Sequence, residues 1–389
     1  MSVGIGSKSK LVFVVESAFG TFPSGQTGTN LGFLTEAIQN TRNTFSSQEI
    51  SSSRQLSSVR GGNVAAGGDI SMELSPNALG TFFKHLLCVS PTTASATITA
   101  LANSQAVLRG AYISSNTKNY LCTRAGTTSG TATTLGFTST DTAEEFLSGT
   151  ATFQYVGAAA TTVYSHTFQA AVSKPTGGIA VEREVFLDSG SKFFRYVGGR
   201  INTMAITVPQ EGIVTCSFGF LFLDLDSTAT STIFSSPTTP VDEPFSGAGT
   251  VMRIAASGGS LTEDFSIDSA TINVTNNFDG AVYTIGQRRR RDLPEQMRSV
   301  TGNLSAVFED MTKFNFFANE TTVSLEVSFN HLGQFMRITM PEVRLHGGAP
   351  APVISGNGVM KHTFDFTAFK STGAGDIKIE MFNTTSSYA

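Results

Sequence analysis

A repeat within the chain constrains its fold more than any other feature of the sequence. The stretch from Arg54 to Leu87 begins with an arginine that ends a polar run, continues through a glycine-rich run into alternating residues, and ends in a phenylalanine-rich segment. The same order recurs from Arg288 to Phe317, at an offset of 234 residues. The identical residues are Ile38 and Ile272, Thr41 and Thr275, Asn43 and Asn277, Arg54 and Arg288, Gly68 and Gly302, Ser71 and Ser305, Phe82 and Phe316, and Phe83 and Phe317. An internal repeat of this kind indicates a duplicated structural unit, so we predict two copies of one module.

Composition favours β structure in both copies. Charged residues make up 14% of the 389 residues, against roughly 25% in an average domain, and small polar residues replace them. In the run from Gly68 to Leu74, apolar and polar residues alternate, as expected for a strand with one exposed face. The run from Phe193 to Asp224 gives the strongest hairpin pattern in the chain.

The repeat and the composition together predict the domain organisation. The first module occupies residues 1–225 and carries a β-rich insertion at about 90–162. A Ser/Thr/Pro-rich linker follows at 226–249, and the second module occupies 250–389. In each module we expect a long loop, at 44–67 and 279–301, before the returning strand. After the first returning strand, Ser75 and Pro76 predict the start of a short helix.

Several kinds of chemistry lack their sequence signals. The net charge of −4 does not suggest general nucleic-acid binding. The three cysteines form no CxxC pair, and no apolar run approaches the roughly 20 residues that cross a membrane. The zinc-protease motif HExxH and the nucleophile motif GxSxG are absent, and GIGSKS at 4–9 lacks the spacing of a phosphate-binding loop. We therefore predict no catalytic, metal or cofactor site, and no enzyme activity.

Two polar features remain without an assigned role, and each has more than one interpretation. The arginine run Arg288, Arg289, Arg290 and Arg291 suits a subunit contact or a solvated loop better than a DNA contact, since it lacks interleaved aromatic residues. Polar residues at alternate strand positions suit either the ordinary solvated side of a sheet or a special surface. These are Ser71, Glu73, Thr207, Ser217, Thr271 and Ser305.

The chain resembles the tail tube proteins (major tail proteins) of long non-contractile-tailed bacteriophages, in the class with a duplicated tube module. Four segments carry the resemblance and together cover well over half of the chain. They are ESAFGTFPSG at 16–25, the stretch from LTEAIQN to FFKHLL at 34–87, FFRYVGGRINTMAITVPQEGIVTCSFGF at 193–220, and the stretch from NNFDGAVYTIGQ to FNFF at 276–317. The insertion lies outside this pattern, and the arginine run departs from it.

The resemblance implies a mainly β fold, with two tandem β-sandwich or half-barrel modules, each flanked by a short helix. It implies rings whose inner strands form a β-barrel, stacked into a tube through which double-stranded DNA passes without specific binding. Six modules per ring would require three chains with pseudo-sixfold symmetry; six chains, each with one module facing the lumen, is the alternative.

The resemblance also implies where the chain acts and what it contacts. Its partners would be further copies of itself, a tape measure protein, and terminator and tip proteins, in a virion tail assembled in the host cytoplasm. The six polar residues above are then candidates for the lumen surface. Arg54, Arg60 and the four arginines at 288–291 are candidates for contacts between subunits or rings.

A secreted carbohydrate-binding or adhesion protein with two sandwich domains is the alternative function. The Thr-rich β composition permits it, but Trp for sugar stacking is absent and the cysteine count is odd. A hydrolase is a third alternative, and no acid–base constellation supports it.

Overall fold

The computed structural model describes residues 5–23, 25–50, 55–171, 174–240, 243–352, 354 and 358–388. The first part of the chain holds a short 3-10 helix (Gly6–Lys8), five strands and one α-helix. Two short strands precede a long hairpin, and the α-helix follows the second strand of this hairpin. The elements are β1 (Lys10–Val15), β2 (Thr29–Asn30), β3 (Thr35–Glu36), β4 (Gln39–Ser46), β5 (Val59–Glu73) and α1 (Gly80–Leu86).

The next part, which contains the predicted insertion, consists of short strands and one helical turn. Five of its strands form a separate sheet in the order β12-β13-β10-β9-β7. The elements are β6 (Thr92–Ser95), β7 (Ile98–Ala100), β8 (Ala106–Val107), β9 (Tyr112–Ser115), β10 (Lys118–Arg124), β11 (Gly126–Thr127), α2 (Ala132–Leu135), β12 (Glu145–Ser148), β13 (Ala151–Ala158) and β14 (Tyr164–Gln169).

The remaining strands complete the first module and form the second. Two of them, β16 and β24, are the longest in the chain and bend from one sheet region into another. The elements are β15 (Ile179–Val185), β16 (Lys192–Val208), β17 (Thr215–Phe222), β18 (Asp224–Asp226), β19 (Thr250–Ala256), β20 (Thr262–Glu263), β21 (Ile267–Thr275), β22 (Ser299–Val307), α3 (Thr312–Ala318), β23 (Thr322–His331), β24 (Gln334–Ala349), β25 (Lys361–Ala368) and β26 (Lys378–Asn383).

Strand pairing confirms the repeat. In the first module β17 pairs with β5 from Thr215↔Glu73 to Phe222↔Ala66. In the second, β25 pairs with β22 from Lys361↔Val307 to Ala368↔Val300. Every pair in the second set lies 146 residues beyond its counterpart on β17 and 234 beyond its counterpart on β5. The predicted fold class, mainly β with two tandem modules, is therefore confirmed, and in the single chain the sheet is not closed into a barrel.

The two modules share one uninterrupted sheet. Strand β16 of the first module pairs with β21 of the second, from Thr203↔Thr275 to Val208↔Ala270. The neighbours on either side continue the sheet in the order β3/β4, β5, β17, β16, β21, β22, β25 and β24. We call the β16–β21 pairing the module junction.

Each module has one short helix against the apolar face of this sheet. Phe82 and Phe83 of α1 are fully buried and pack edge-on against Phe218 of β17, with centroid distances of 5.2 and 6.0 Å. In the second module the ring centroid of Phe317 of α3 lies 6.4 Å from that of Phe364 of β25. Burying a phenylalanine contributes about 1.5–3 kcal/mol, so these residues hold each helix on its sheet.

The start of the first helix was predicted wrongly. The helix begins at Gly80 with Leu79 at its N-cap, and no side chain caps it. Residues 76–78 form a turn instead. Burial of Leu79, Phe82 and Phe83 positions the helix, and this tertiary packing outweighs the local capping signal of Ser75.

The predicted loop at 44–67 is largely a hairpin. Strands β4 and β5 stay paired from Gln39↔Gly67 out to Ser46↔Val59, with one bulge near Arg42. We call residues 39–66 the arm and residues 45–59 its tip. All eight residues of β4 are exposed, so packing against the body does not form the arm.

The insertion has its own aromatic core and is fixed to the second module. Tyr120, Phe137 and Phe153 lie in one cluster with centroid distances of about 5 Å between neighbouring rings. The buried Arg109 Nε donates to Ser328 Oγ (3.0 Å), and its Nη2 donates to the Gly249 carbonyl (2.7 Å). Strand β6 pairs with β14, and β14 in turn pairs with β26. The insertion thus extends the outer sheet of the second module.

The matched glycines of the repeat are required by close strand approach. A Cβ on Gly302 would lie 2.1 Å from the Thr271 carbonyl oxygen. A Cβ on Gly68, where φ is +152°, would lie 2.2 Å from the Ala37 carbonyl oxygen. Both contacts are with backbone, which cannot give way, so the same constraint preserves glycine at equivalent sites of both modules.

Candidate functional site

All six polar candidates lie on one face of the shared sheet. The registers place Ser71 opposite Ser217, Ser217 opposite Ala205, and Ala205 opposite Asn273. The adjacent row runs from Glu73 through Thr215, Thr207, Thr271 and Asn303. Ser305 lies two residues beyond Asn303 and therefore on the same side. The polar face crosses the module junction without a break.

The opposite face of the same strands is apolar. On β17, the buried residues Cys216, Phe218, Phe220 and Phe222 alternate with Thr215, Ser217 and Gly219, and Phe82 of α1 packs on Phe218 and Phe220. The sheet is therefore amphipathic, with the helices on one side and the small hydroxyl side chains on the other.

The charges on the polar face are mostly acidic. Asp69, Glu73 and Asp365 occupy alternate positions of β5 and β25 on this side. Lys361, at the end of β25, is paired with Asp268. Burial opposes ionisation of Asp268, but hydrogen bonds from Lys361 and Ser305 outweigh it and lower its pKa. The lysine charge is thus balanced within the chain.

Two hydroxyl groups on this face bond to each other. Ser71 Oγ donates to Ser217 Oγ at 3.3 Å across the β5–β17 pair. Serine and threonine hydroxyls are short and uncharged, so they do not reach far from the backbone.

The arm presents an apolar tip. Phe45 is 64% exposed, and Ile50, Leu56 and Val59 are also exposed. Arg60, a candidate contact residue, lies at the base of the tip and is exposed. Arg54, the other candidate in this segment, lies outside the described residues. An exposed group of large apolar side chains on a projecting hairpin is typical of a contact surface.

The arginine run of the second module divides into residues with different surroundings. Arg290 is buried, with Nη1 donating to the carbonyls of Ala66 (2.7 Å) and Phe222 (2.9 Å) and Nε donating to Gly280 (2.7 Å). Arg289 lies 3.8 Å from Asp224 and is exposed, as are Arg288 and Arg291.

This second loop folds onto the base of the arm. Arg288 accepts a backbone hydrogen bond from Val64, and Tyr283 Oη donates to the Val64 carbonyl at 3.1 Å. The candidate contact role of Arg288, Arg289 and Arg291 stays a prediction. We leave Arg290 out of any proposed contact, because its donors are occupied within its own chain.

Sequence reasoning missed two free strand edges. The outer edge of β3–β4, and the edge of residues 346–349 of β24 that faces away from β25, have no strand partner among the described residues. The available signals were the matched residues Ile38 and Thr41 and the Gly347–Gly348 pair before Pro350 and Pro352. Such signals mark an edge only once the strand order is known.

A protein-family model described as "Phage tail tube protein" matches residues 6–186 and again residues 168–368. The chain belongs to the phage tail tube protein family. The two matches agree with a duplicated tube module, and they make the chain a structural component of a phage tail. No curated protein matches the chain.

Two further observations concern membranes and metals. None of the helices in the described part of the chain is long and apolar enough to cross a membrane. The same residues contain no group of three or more His, Cys, Asp or Glu side chains placed to hold a metal ion.

Proposed function

We propose that three copies of this tail tube protein close into a ring with pseudo-sixfold symmetry, and that stacked rings form the conduit for DNA. The observation that carries this proposal is the polar face that crosses both modules without a break. A surface of that kind, backed on its other side by helices, suits the inner wall of a tube.

The strand count favours three chains over six. Each chain contributes eight neighbouring strands to the shared sheet. With strands about 4.8 Å apart and tilted by about 40°, three chains give a barrel about 48 Å across at the backbone. Six chains would give about twice that width. A hexamer with one module per chain at the lumen would have to break the module junction.

The chemistry of the polar face suits passage of DNA without binding. Phosphate contacts made by Lys or Arg supply most non-specific affinity for DNA. In this chain, Asp69, Glu73 and Asp365 repel phosphate, and two cations on this side, Lys361 and Arg344, are paired with Asp268 and Glu320. Ser71, Thr207, Ser217, Thr271 and Ser305 would keep a layer of water between the wall and the duplex.

The arm is the element best suited to join one ring to the next. It extends β5 beyond its neighbour β17, whose pairing ends at Ala66, and it carries its apolar side chains at the far end. Burying Phe45, Ile50, Leu56 and Val59 against an adjacent ring would remove them from water. Tape measure, terminator and tip proteins would complete the tail, with assembly in the host cytoplasm.

Electron microscopy of assembled tubes tests the proposal. Class averages of end-on views should show three chains arranged with approximate sixfold symmetry, and a lumen lined by the shared sheet. True sixfold subunit density would contradict the trimer. A solved tube in which Ser71 and Ser217 face outside solvent would contradict the lumen assignment.

The alternative of a secreted carbohydrate-binding protein now has no observation in its favour, and neither does a hydrolase. Family membership supports a structural role without enzyme activity.

A further inference from the structure

Two free edges terminate the shared sheet of one chain. At one end, β4 is exposed along its whole length. At the other, residues 346–349 of β24 are exposed. Among the described residues, the only strand beside β3 and β4 is β5, and the only strand beside residues 346–349 is β25. Unpaired backbone groups at such edges favour pairing with another strand.

The module junction shows how equivalent edges pair within the chain. There, Thr203 lies opposite Thr275 and Ala205 opposite Asn273. These four residues are half-buried. In the spatial order of the sheet, the junction joins the edge strand of the first module to the edge strand of the second, so it shows how one module meets the next.

The repeat transfers this register to the first free edge. β21 pairs with β22 as Ser269↔Ser305 and Thr275↔Ser299. Subtracting 234 gives Thr35↔Ser71 and Thr41↔Ala65, which are the observed pairs of β3 and β4 with β5. Thr275 therefore corresponds to Thr41, and Asn273 to Gln39.

The residues of the second free edge that correspond to β16 are found from their pairing partners. These partners lie on β17 and β25, which correspond at an offset of 146. Thr203 pairs with Gly219, and His346 pairs with Asp365, the equivalent of Gly219. Ala205 pairs with Ser217, and Ala349 pairs with Thr363, the equivalent of Ser217. His346 thus corresponds to Thr203, and Ala349 to Ala205.

We propose that β24 of one chain pairs antiparallel with β3–β4 of a second copy, with His346 opposite Thr41 and Ala349 opposite Gln39. This inference rests on the proposed ring and specifies its subunit contact. It makes the contact between chains a copy of the contact between modules, which is the condition for pseudo-sixfold symmetry from three chains.

Neighbouring residues agree with this pairing. At the module junction Val208 and Pro209 share a cavity of about 120 Å³ with Phe265 and Ile267. At the free edges, Leu34 is 53% exposed and Ile354, five residues beyond Ala349, is 82% exposed. Pairing would bring these apolar groups together. Pro350 and Pro352 lack N–H donors and limit the paired stretch, which restricts the edge to one register.

Engineered cysteines test the register in assembled tubes, prepared from purified protein or from the tails of particles carrying the variant chain. The test variant is A349C/Q39C, whose cysteines would face each other across the contact. The matched control is A205C/N273C, which places the same pair at the module junction. The native cysteines Cys88, Cys122 and Cys216 are buried and free, so they do not compete.

A register control uses A349C/T35C. Thr35 lies four residues from Gln39, about 13 Å along the strand, which is beyond the roughly 7 Å that a disulfide spans. After oxidation, the test variant should run on a denaturing gel as a ladder that ends at three chains. The matched control should form a disulfide within one chain, and the register control should remain single chains.

The outcomes separate the two proposals. If A205C/N273C oxidises and A349C/Q39C stays single in tubes of normal appearance, the register is overturned while the tube remains. A ladder that continues to six chains would overturn the three-chain ring but keep the edge pairing. Absence of the wild-type chain from tails would overturn the proposed function. Mixing the two single variants A349C and Q39C should give covalent dimers only, which guards against a folding defect of the double variant.

Discussion

Neighbouring residues of like charge have unlike roles in this chain. Arg289 and Arg290 are adjacent in a run of four arginines, yet only Arg290 is buried, where it donates to three carbonyl oxygens. The sequence predicted that the run matters but could not tell its members apart, since the distinction depends on how the loop at 279–301 folds back on the arm.

Replacing Arg290 by alanine should destabilise the folded chain. The carbonyls of Ala66 and Phe222 would lose their donor, and each unsatisfied buried group costs about 1–3 kcal/mol. Thermal unfolding monitored by circular dichroism measures the change. Arg289→Ala is the matched control and should change stability by less than about 0.5 kcal/mol, because Arg289 is exposed. Equal effects of the two substitutions would contradict the assigned role.

Stability should fall as the pH is lowered from about 6.5 toward 4, in part because of His85. Burial, together with the charges of Arg200 and Lys84, lowers the pKa of His85 to about 3. Between that value and the ordinary pKa near 6.5, the unfolded chain binds a proton that the folded chain does not, so acid favours unfolding. Glu16, whose pKa is raised by burial, contributes with the opposite sign.

The variant His85→Leu should flatten this pH dependence. Denaturant midpoints measured at pH 7, 6, 5 and 4 provide the comparison with the wild-type chain. His166 and His362 also have pKa values lowered by burial, so some dependence should remain. An unchanged slope in the variant would show that His85 is not buried as the structure places it.

At the scale of elements, strands were easier to predict than the arm. β17 and β22 alternate clearly because one face is buried, and this burial selects the apolar residues. β4 is exposed on both faces, so no clear alternation marks it, and its end and the outer part of β5 fall within the predicted loop at 44–67. The pairing of β4 with β5 continues the register that begins in the body of the sheet. The local sequence of the arm does not encode this register.

Shortening the arm should stop tube growth and leave a folded monomer. Replacing residues 47–58 by Asn-Gly keeps a two-residue hairpin turn but removes Ile50 and Leu56 from the apolar tip and shortens its reach. Negative-stain microscopy and size-exclusion chromatography measure tubes and monomer. Normal tubes from this variant would rule out the stacking role.

A milder pair of substitutions controls for the deletion. Phe45→Ser should slow assembly, while Leu108→Ser should not, although the two side chains are 64% and 69% exposed. Leu108 lies on the insertion, away from the arm. Similar assembly defects in both variants would indicate a general effect of surface polarity.

At the scale of the whole molecule, the repeat predicted two modules but not how they interlock. β6 and β14 come from the first half of the sequence, yet they extend the sheet of β26 in the second. Thr-rich segments such as Thr92–Ser95 carry little apolar pattern, so their partner can be identified only from the tertiary structure. The polar face was predicted residue by residue, whereas its continuity across the module junction was not.

Positive charge on the polar face should make tubes retain DNA. In S71K/S217K the two lysines would lie side by side on neighbouring strands. Each chain of the ring would add one such pair to the polar face. DNA binding to assembled tubes, measured by filter retention across a salt series, should appear and weaken steeply as salt rises. The control T99K/T140K adds the same charge to exposed positions of the insertion and should bind far less inside the tube. Equal, weak binding by both would contradict the lumen assignment.

The interlocked strands also affect the order of events during synthesis. His166 of β14 bonds to the Thr385 carbonyl, 219 residues further along the chain. At roughly 5–20 residues per second, the ribosome needs about 10–40 s to supply that partner. During this interval the outer sheet of the second module is incomplete, and β24 lacks its neighbour β26. We therefore expect ring assembly to begin only after translation has reached β26, because the second module cannot complete its outer sheet before then.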